Sequence, residues 1–461
     1  MKKYKISVRE FLNESNKGNI NFIEFADCVL KETEQLNERF GFMRNLCNIK
    51  DRLYLKPPLH GLPMSVKDSI CVRGLESCAG SRILQGYVPT FDATVVERIK
   101  ENGAIVLGKT NQDEFGFGTF STNSGYDIPK NPLDPSCSCG GSSGGAAGLT
   151  AALDYPHVAL AQSTGGSITC PSAFCAVVGM TPTYGLVSRY GLIDYANSLD
   201  KIGVISKCVD DAALILSIIA GKDDKDQTTI GEKTDYTKVN YDLKGVKIAV
   251  PKEYFQNLDK KVEKEVWTSI HKMESQGAEY KKVSLKHTKH AIAAYYIIAT
   301  AEASTNLAKY CGMRYGAHEK LSGNFNEYFS IVRAKYLGEE AKRRIMLGTF
   351  TRMAGYRDAY YLKAMKVRTL LINEFKQLFS KFDAIAAPSM PILPPKFSEI
   401  KKLKPVEHYQ MDFLTVPANL AGLPHLSIPV KEKTPIGLHL IADHLNESKI
   451  FQLGGAFEKI R

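Results

Sequence analysis

The sequence predicts an α/β fold. Two observations point to it: apolar residues at helical spacing alternate along the chain with short continuous apolar runs, and a glycine closes several of the helical stretches. A third is the length of 461 residues with 44% hydrophobic side chains, enough to bury a large core in two domains or in one big unit. Taken in order, residues 21–46 carry Phe22, Phe25, Ala26, Val29 and Leu36 at helical spacing and predict one amphipathic helix packed outside the core. After Thr94, Val95, Val96 and Ile99 predict a helix ending at Gly103, and residues 104–107 a strand. Residues 209–220 predict a helix closed by Gly221, residues 246–250 a strand, and Val262, Val266, Ile270 and Met273 a helix stopped by Gly277. Further strands are predicted at 383–387, 425–430 and 436–441, with a closing helix at 447–460. The polar, threonine-rich residues 223–242 predict a surface excursion between two halves of one fold.

Sixty Lys and Arg against 49 Asp and Glu leave a formal charge of +11, which favours encounters with acidic partners such as nucleic acid. The surplus is spread along the chain without a basic arm, so a solvated basic surface accounts for it equally well and any nucleic-acid contact should be peripheral. No stretch reaches the roughly 18 to 20 apolar residues needed to span a bilayer. The start of the chain is too polar for a signal peptide, so the expected location is cytoplasmic with no membrane role. Ten cysteines lie at irregular spacings, the closest being Cys137-x-Cys139 and Cys170-x4-Cys175, and none forms a CxxC metal knuckle. In a reducing compartment they read as buried thiols.

The chemistry concentrates where small residues crowd together, in Gly140-Gly141-Ser142-Ser143-Gly144-Gly145 and again in Ser163-Thr164-Gly165-Gly166-Ser167. A flexible linker would not sit between apolar segments such as 149–153 and 158–160. A phosphate cradle would need the lysine of the P-loop pattern after the glycines, which is absent. Acyl transfer fits better: Thr164, Gly165, Gly166 and Ser167 would present consecutive backbone N–H groups, an oxyanion hole, around the hydroxyl of Ser167 as nucleophile. A serine needs a base, and neither GxSxG nor a nearby histidine offers the usual triad. Lys67, in Gly61-Leu62-Pro63-Met64-Ser65-Val66-Lys67-Asp68, lies in a mostly apolar run where desolvation would favour the neutral amine, although a lone lysine there reads as a surface charge just as readily.

The spaced set GLPMSVKD, GGSSGG, TGGS with CPSAFC, and VGMTPTYGLVSRYGL resembles the amidase signature family. The resemblance implies a large mixed sheet flanked by helices on both faces, as a single domain over residues 57–461 behind an N-terminal helical segment, 1–56. It implies a Ser-cisSer-Lys triad of Lys67, Ser142 and Ser167, in which Lys67 draws a proton through Ser142 from Ser167, and Ser142 follows a non-proline cis peptide. It is closest to the branch of the family that forms the glutaminase subunits of tRNA amidotransferases, through GKTNQDEF at 108–115, AEASTNL at 301–307, AKRRIMLGTF at 341–350 and FLTVPANLAGLP at 413–424. By that likeness Tyr295, Arg344 or its neighbour Arg343, and Asp412 hold glutamine, a cation for its carboxylate and an anion for its ammonium.

The same resemblance implies no cofactor in this chain, ATP and magnesium bound by a partner B subunit, stabilisation by a small C subunit, and misacylated tRNA contacted mainly through B. The expected product is ammonia for converting Glu-tRNA(Gln) or Asp-tRNA(Asn); the alternatives are a stand-alone small-amide amidase and a catalytically weak scaffold. Two features depart from the family pattern. Ser163 and Thr169 stand where the family has Asp and Arg, a paired loss that avoids stranding one buried charge, so catalysis is expected to survive it. Cys137-Ser138-Cys139-Gly140 replaces the usual proline-glycine lead into GGSS and bears on how the relay loop is positioned.

Overall fold

The structure, a computed structural model, describes residues 4–49, 55–231 and 234–461. Its frame is one 11-stranded sheet. The strands are β1 (Met43–Leu46), β2 (Pro63–Lys67), β3 (Ile105–Thr110), β4 (Val158–Ser163), β5 (Val178–Thr181) and β6 (Lys201–Ser206) from the first half of the chain. The second half supplies β7 (Lys247–Pro251), β8 (Glu279–Val283), β9 (Ala384–Pro388), β10 (His425–Pro429) and β11 (Gly437–Ala442). Their spatial order is β1-β3-β2-β4-β6-β5-β10-β11-β9-β7-β8, so each half forms a contiguous block and the blocks meet where β5 pairs antiparallel with β10. β2 runs parallel to β3 and β4, and β7 parallel to β8 and β9, while the other pairs are antiparallel. The sheet is therefore mixed. Every residue of β2, β3, β4, β6, β10 and β11 is buried, which requires helices over both faces.

Nine of the ten elements that apolar periodicity places fall where expected: the helices Thr94–Glu101, Val209–Ile219, Lys260–Ser275 and Glu447–Ile460, and the strands β3, β7, β9, β10 and β11. The excursion after Asp223 lies between the two blocks, and it is anchored by Tyr236, which is buried in the main core. One expectation is corrected. The helix predicted over 21–46 spans only Phe22–Phe40, because Gly41 takes up a left-handed φ of 70° and stops it. The chain then turns into β1, an edge strand on β3. Nor does this helix lie outside the core: Phe25, Ala26 and Val29 are enclosed in the main apolar cluster with Tyr4 and Phe11. All ten cysteines are free thiols, seven of them buried and Cys28, Cys208 and Cys311 half-buried. Among the described residues no helix is long and apolar enough to cross a membrane.

Candidate active site

Lys67 is the last residue of β2, flanked by β3 and β4. Its side chain is wholly buried, and its Nζ lies 2.7 Å from Ser142 Oγ, 2.9 Å from the main-chain oxygen of Gln162 and 3.1 Å from Gln162 Oε1. Burial pushes its value down to about 7, against the opposing pull of the Asp113 and Asp200 carboxylates. A neutral amine has two N–H groups and one lone pair. In that form the two Gln162 oxygens accept the N–H groups and the lone pair is left for the hydroxyl of Ser142, whereas the charged amine donates to all three oxygens.

The glycines around Ser142 are dictated by close packing. A Cβ on Gly141 would stand 2.2 Å from Asp113 Oδ2, and one on Gly145 would stand 2.4 Å from the Phe42 carbonyl oxygen. The segment is thus a packed wall, which excludes the linker reading. The Gly141–Ser142 peptide bond is cis. The altered lead-in is well anchored: Ser138 Oγ donates to the Phe120 carbonyl at 2.7 Å and accepts from the Gly140 N–H at 2.8 Å, and the Gly141 N–H donates to the Thr119 carbonyl at 2.7 Å.

Ser167 sits in the turn between β4 and the helix Thr169–Phe174. The Ser143 N–H donates to its carbonyl at 3.2 Å, which joins the two serine loops. Lys67 and Ser142 are fully enclosed, whereas Ser167 keeps 7% exposure, so among the three only Ser167 can meet a ligand directly. No main-chain acceptor among the described residues takes the N–H groups of Gly165, Gly166 or Ser167. The turn is shaped from outside by Asn419 Nδ2 on the Gly165 carbonyl and by Thr164 Oγ1, which donates to Asp200 Oδ1 at 2.6 Å. The uncharged replacements are satisfied locally: Ser163 Oγ donates to the Gly165 carbonyl at 2.9 Å, and Thr169 Oγ1 lies 3.2 Å from His425 Nδ1.

The predicted glutamine-holding residues come from the second half of the chain. The Tyr295 hydroxyl borders the turn closely enough that a Cβ on Gly165 would stand 2.9 Å from it. Arg344 and Arg343, adjacent on the helix Glu339–Arg352, face differently. Arg344 is buried, its Nε donating to Glu340 Oε1 and its Nη1 to the Tyr195 hydroxyl, both at 2.7 Å, with the rings of Phe117, Tyr195, Tyr296 and Tyr409 within 5.7 Å of its guanidinium. The Arg343 side chain is 39% exposed and pairs with the other Glu340 oxygen, which places it at the rim of a cavity of about 100 Å³ that both arginines line. Asp412 accepts from the Tyr296 hydroxyl at 2.7 Å and from Thr119 Oγ1 at 3.3 Å, and burial pushes its carboxyl up to about 6.

Several residues of the site escape sequence reasoning. Gln162 clamps Lys67, and its Nε2 donates to Thr164 Oγ1 at 2.7 Å and to Asp200 Oδ1 at 3.0 Å. Asp200, pushed up to about 7 by burial, accepts the Tyr195 N–H at 2.9 Å, and Tyr195 in turn receives Arg344. Hydrogen bonds through Gln162 and Asp200 to the Tyr195 N–H, and from Arg344 to the hydroxyl at the far end of the same tyrosine, therefore connect Lys67 with Arg344. No spacing signal marks this connection, because its members meet only through strand pairing: Ser163 faces Lys201 across β4 and β6, which sets Asp200 opposite Thr164.

A buried lysine bonded to a serine on a cis peptide, beside a second serine in a glycine-rich turn on a mixed sheet, is the arrangement that the amidase resemblance implies. The amidase family model matches residues 44–451, and the chain belongs to the amidase signature family. Within it, the chain is similar to the A subunit of the glutamyl-tRNA(Gln) amidotransferase of Methanococcoides burtonii, 47% identical over 87% of this chain and 85% of that protein, and to that of Halothermothrix orenii, 42% identical over 100% and 98%. Among solved structures, the A subunit of the Thermotoga maritima glutamyl-tRNA(Gln) amidotransferase superposes with a TM-score of 0.80 at 34% identity, covering 99% of this chain and 95% of that one. The peptide amidase of Stenotrophomonas maltophilia superposes with a TM-score of 0.82 at 27% identity, covering 98% and 96%.

Proposed function

We propose that this chain is the glutaminase subunit of a cytoplasmic tRNA amidotransferase. The observation that carries the reading is the 2.7 Å contact between the Lys67 amine and Ser142 Oγ inside a fully enclosed pocket. Lys67 accepts the Ser142 proton as Ser142 accepts that of Ser167, and Ser167 Oγ attacks the carboxamide carbon of glutamine. The N–H groups of Thr164, Gly165, Gly166 and Ser167 face the oxyanion of the tetrahedral intermediate. The proton returns through Ser142 to the leaving nitrogen, ammonia departs, and water activated by the same relay hydrolyses the acyl-Ser167 ester to glutamate. Arg344 takes the α-carboxylate, with Arg343 at the rim, Asp412 takes the α-ammonium, and Tyr295 lies alongside.

In this reading a B subunit uses ATP and magnesium to activate the tRNA-bound carboxylate, and a C subunit stabilises the assembly. The chain itself needs no cofactor. The relatives' names favour Glu-tRNA(Gln) as the species amidated, with Asp-tRNA(Asn) the second candidate. The hydrogen bonds made by Ser163 and Thr169 argue against an inert scaffold. The test is to express the chain with the B and C chains encoded in its genome and measure glutamine-dependent amidation of both misacylated tRNAs. Loss of activity in Ser167→Ala supports the assignment. Unchanged amidation by that variant defeats it, and ammonia release from small amides without partners would mark a stand-alone amidase.

A further inference from the structure

The helix Thr169–Phe174 begins two residues after Ser167 and rests on β10 and β11. Among the described residues, the single side-chain hydrogen bond that ties this helix to the strands beneath it is the one between Thr169 Oγ1 and His425 Nδ1, 3.2 Å apart. His425, on β10, is oriented in turn by His439 on β11, whose Nε2 lies 3.0 Å from the same Nδ1 while the two rings meet edge to face with centroids 4.9 Å apart. Thr169, His425 and His439 are all fully buried. Burial first, and then the nearby Lys201 amine, keeps both imidazoles neutral. Among the described residues the outer atoms of the pair, His425 Nε2 and His439 Nδ1, have no hydrogen-bond partner. An apolar pair would suit so enclosed a place better, since burying two imidazoles without full hydrogen bonding is unfavourable, and among the described residues the one bond they make beyond each other is the tie to Thr169.

We infer that His425, set by His439 and acting through Thr169, is a positioning residue for the nucleophile: it fixes the start of the helix and with it the place of Ser167 beside the oxyanion turn. The inference rests on Ser167 being the nucleophile. It predicts a loss in turnover and not in glutamine affinity, because the substrate-holding residues lie on other elements.

The experiment uses the chain assembled with its partner subunits and measures kcat and KM for glutamine. His425→Ala is expected to lower kcat by about tenfold or more, the scale on which small misplacements of a reacting group act, with KM unchanged. His425→Asn, which returns a hydrogen-bonding atom near the position of Nδ1, should regain most of the loss. Thr169→Val, nearly isosteric, should reproduce the loss and add little to it in the double variant. It also keeps the test decisive should His425→Ala fail to fold. Equal kcat for His425→Ala and the parent, an effect confined to KM, or identical behaviour of His425→Ala and His425→Asn overturns the inference. Ser167→Ala run in parallel separates the outcomes: activity surviving in that variant refutes the nucleophile assignment itself.

Discussion

Glutamine hydrolysis should rise steeply with pH through neutrality and then level off. Lys67 acts as a base only when uncharged, and its enclosed position brings its value from 10.5 down to about 7. About one-tenth of the enzyme would then hold the neutral amine at pH 6 and about nine-tenths at pH 8, a rise in kcat/KM of about tenfold across that interval. A solvated lysine would behave differently, gaining about tenfold per pH unit with no plateau below pH 9. The perturbation that isolates the cause is Asp200→Asn. The Asp200 carboxylate favours the charged amine, so its removal should move the midpoint toward acid and flatten the profile above neutrality. Asp113, pushed up to about 6 by burial, opposes the fall at Lys67 in the same sense, and Asp113→Asn should shift the midpoint the same way. The assay is ammonia release by the assembled enzyme at saturating and limiting glutamine between pH 5.5 and 8.5. A profile still climbing log-linearly at pH 8.5, or a midpoint that moves toward alkali in Asp200→Asn, would falsify the neutral-lysine mechanism.

Other expectations follow from the same geometry. Ser142→Ala should cost activity on the scale of losing a whole relay, about a thousandfold or more, because Lys67 then has no path to Ser167, and ammonia release reads it directly. Lys67→Met should be inactive yet remain within about 2 kcal/mol of the parent's stability in urea unfolding at pH 7, because the relief and the loss nearly cancel. The depressed folded value means that the unfolded chain binds the proton more tightly, so the penalty is complete below about pH 7 and fades toward 10.5; at neutrality it is about 4 kcal/mol, which methionine removes. The partners left unpaired at Ser142 and Gln162 offset it by about 1 to 3 kcal/mol each. Arg344→Lys should raise KM for glutamine by about ten- to a hundredfold with a smaller change in kcat, since a compact ammonium lacks the planar fork that reaches Glu340 and Tyr195 from separate nitrogens and can still meet a carboxylate. Gly145→Ala should lower the urea midpoint by the equivalent of about 1 to 3 kcal/mol, the usual cost of overpacking, as its methyl would press on the Phe42 and Asn111 carbonyl oxygens.

How much of this was legible in the sequence depends on which force shaped each element. The helix Glu447–Ile460 and the strands near 385, 427 and 439 were readable because burial imposes a period on apolar side chains. β1 was absorbed into a longer helix, since Met43 and Leu46 continue the apolar run past Gly41 and an edge strand of four residues has little pattern of its own. β8, Glu-Tyr-Lys-Lys-Val at the opposite edge, went unpredicted because an edge strand with exposed charges lacks the buried alternation that announces a strand.

The site divides in the same manner. Ser167 could be inferred from crowded small residues and the chemistry of acyl transfer, whereas Lys67 and Ser142 needed the family likeness to become more than a lysine and a serine. Tyr295, Arg344 and Asp412 came from that likeness alone. Gln162, Asp200 and Tyr195 were invisible: a glutamine inside a strand and an aspartate at the start of another acquire their purpose only when antiparallel register sets them side by side.

The meeting of the two blocks of strands at β5 and β10 has an evolutionary corollary. In the proposed mechanism the proton-handling side chains all precede residue 170, and those that would grip the substrate all follow residue 290. On that reading, bond-breaking and molecular selectivity are encoded in separate stretches of one gene. Drift in the later stretch can retarget the catalyst toward another carboxamide while the earlier one stays untouched, a division of labour suited to a scaffold that also serves peptide amidases.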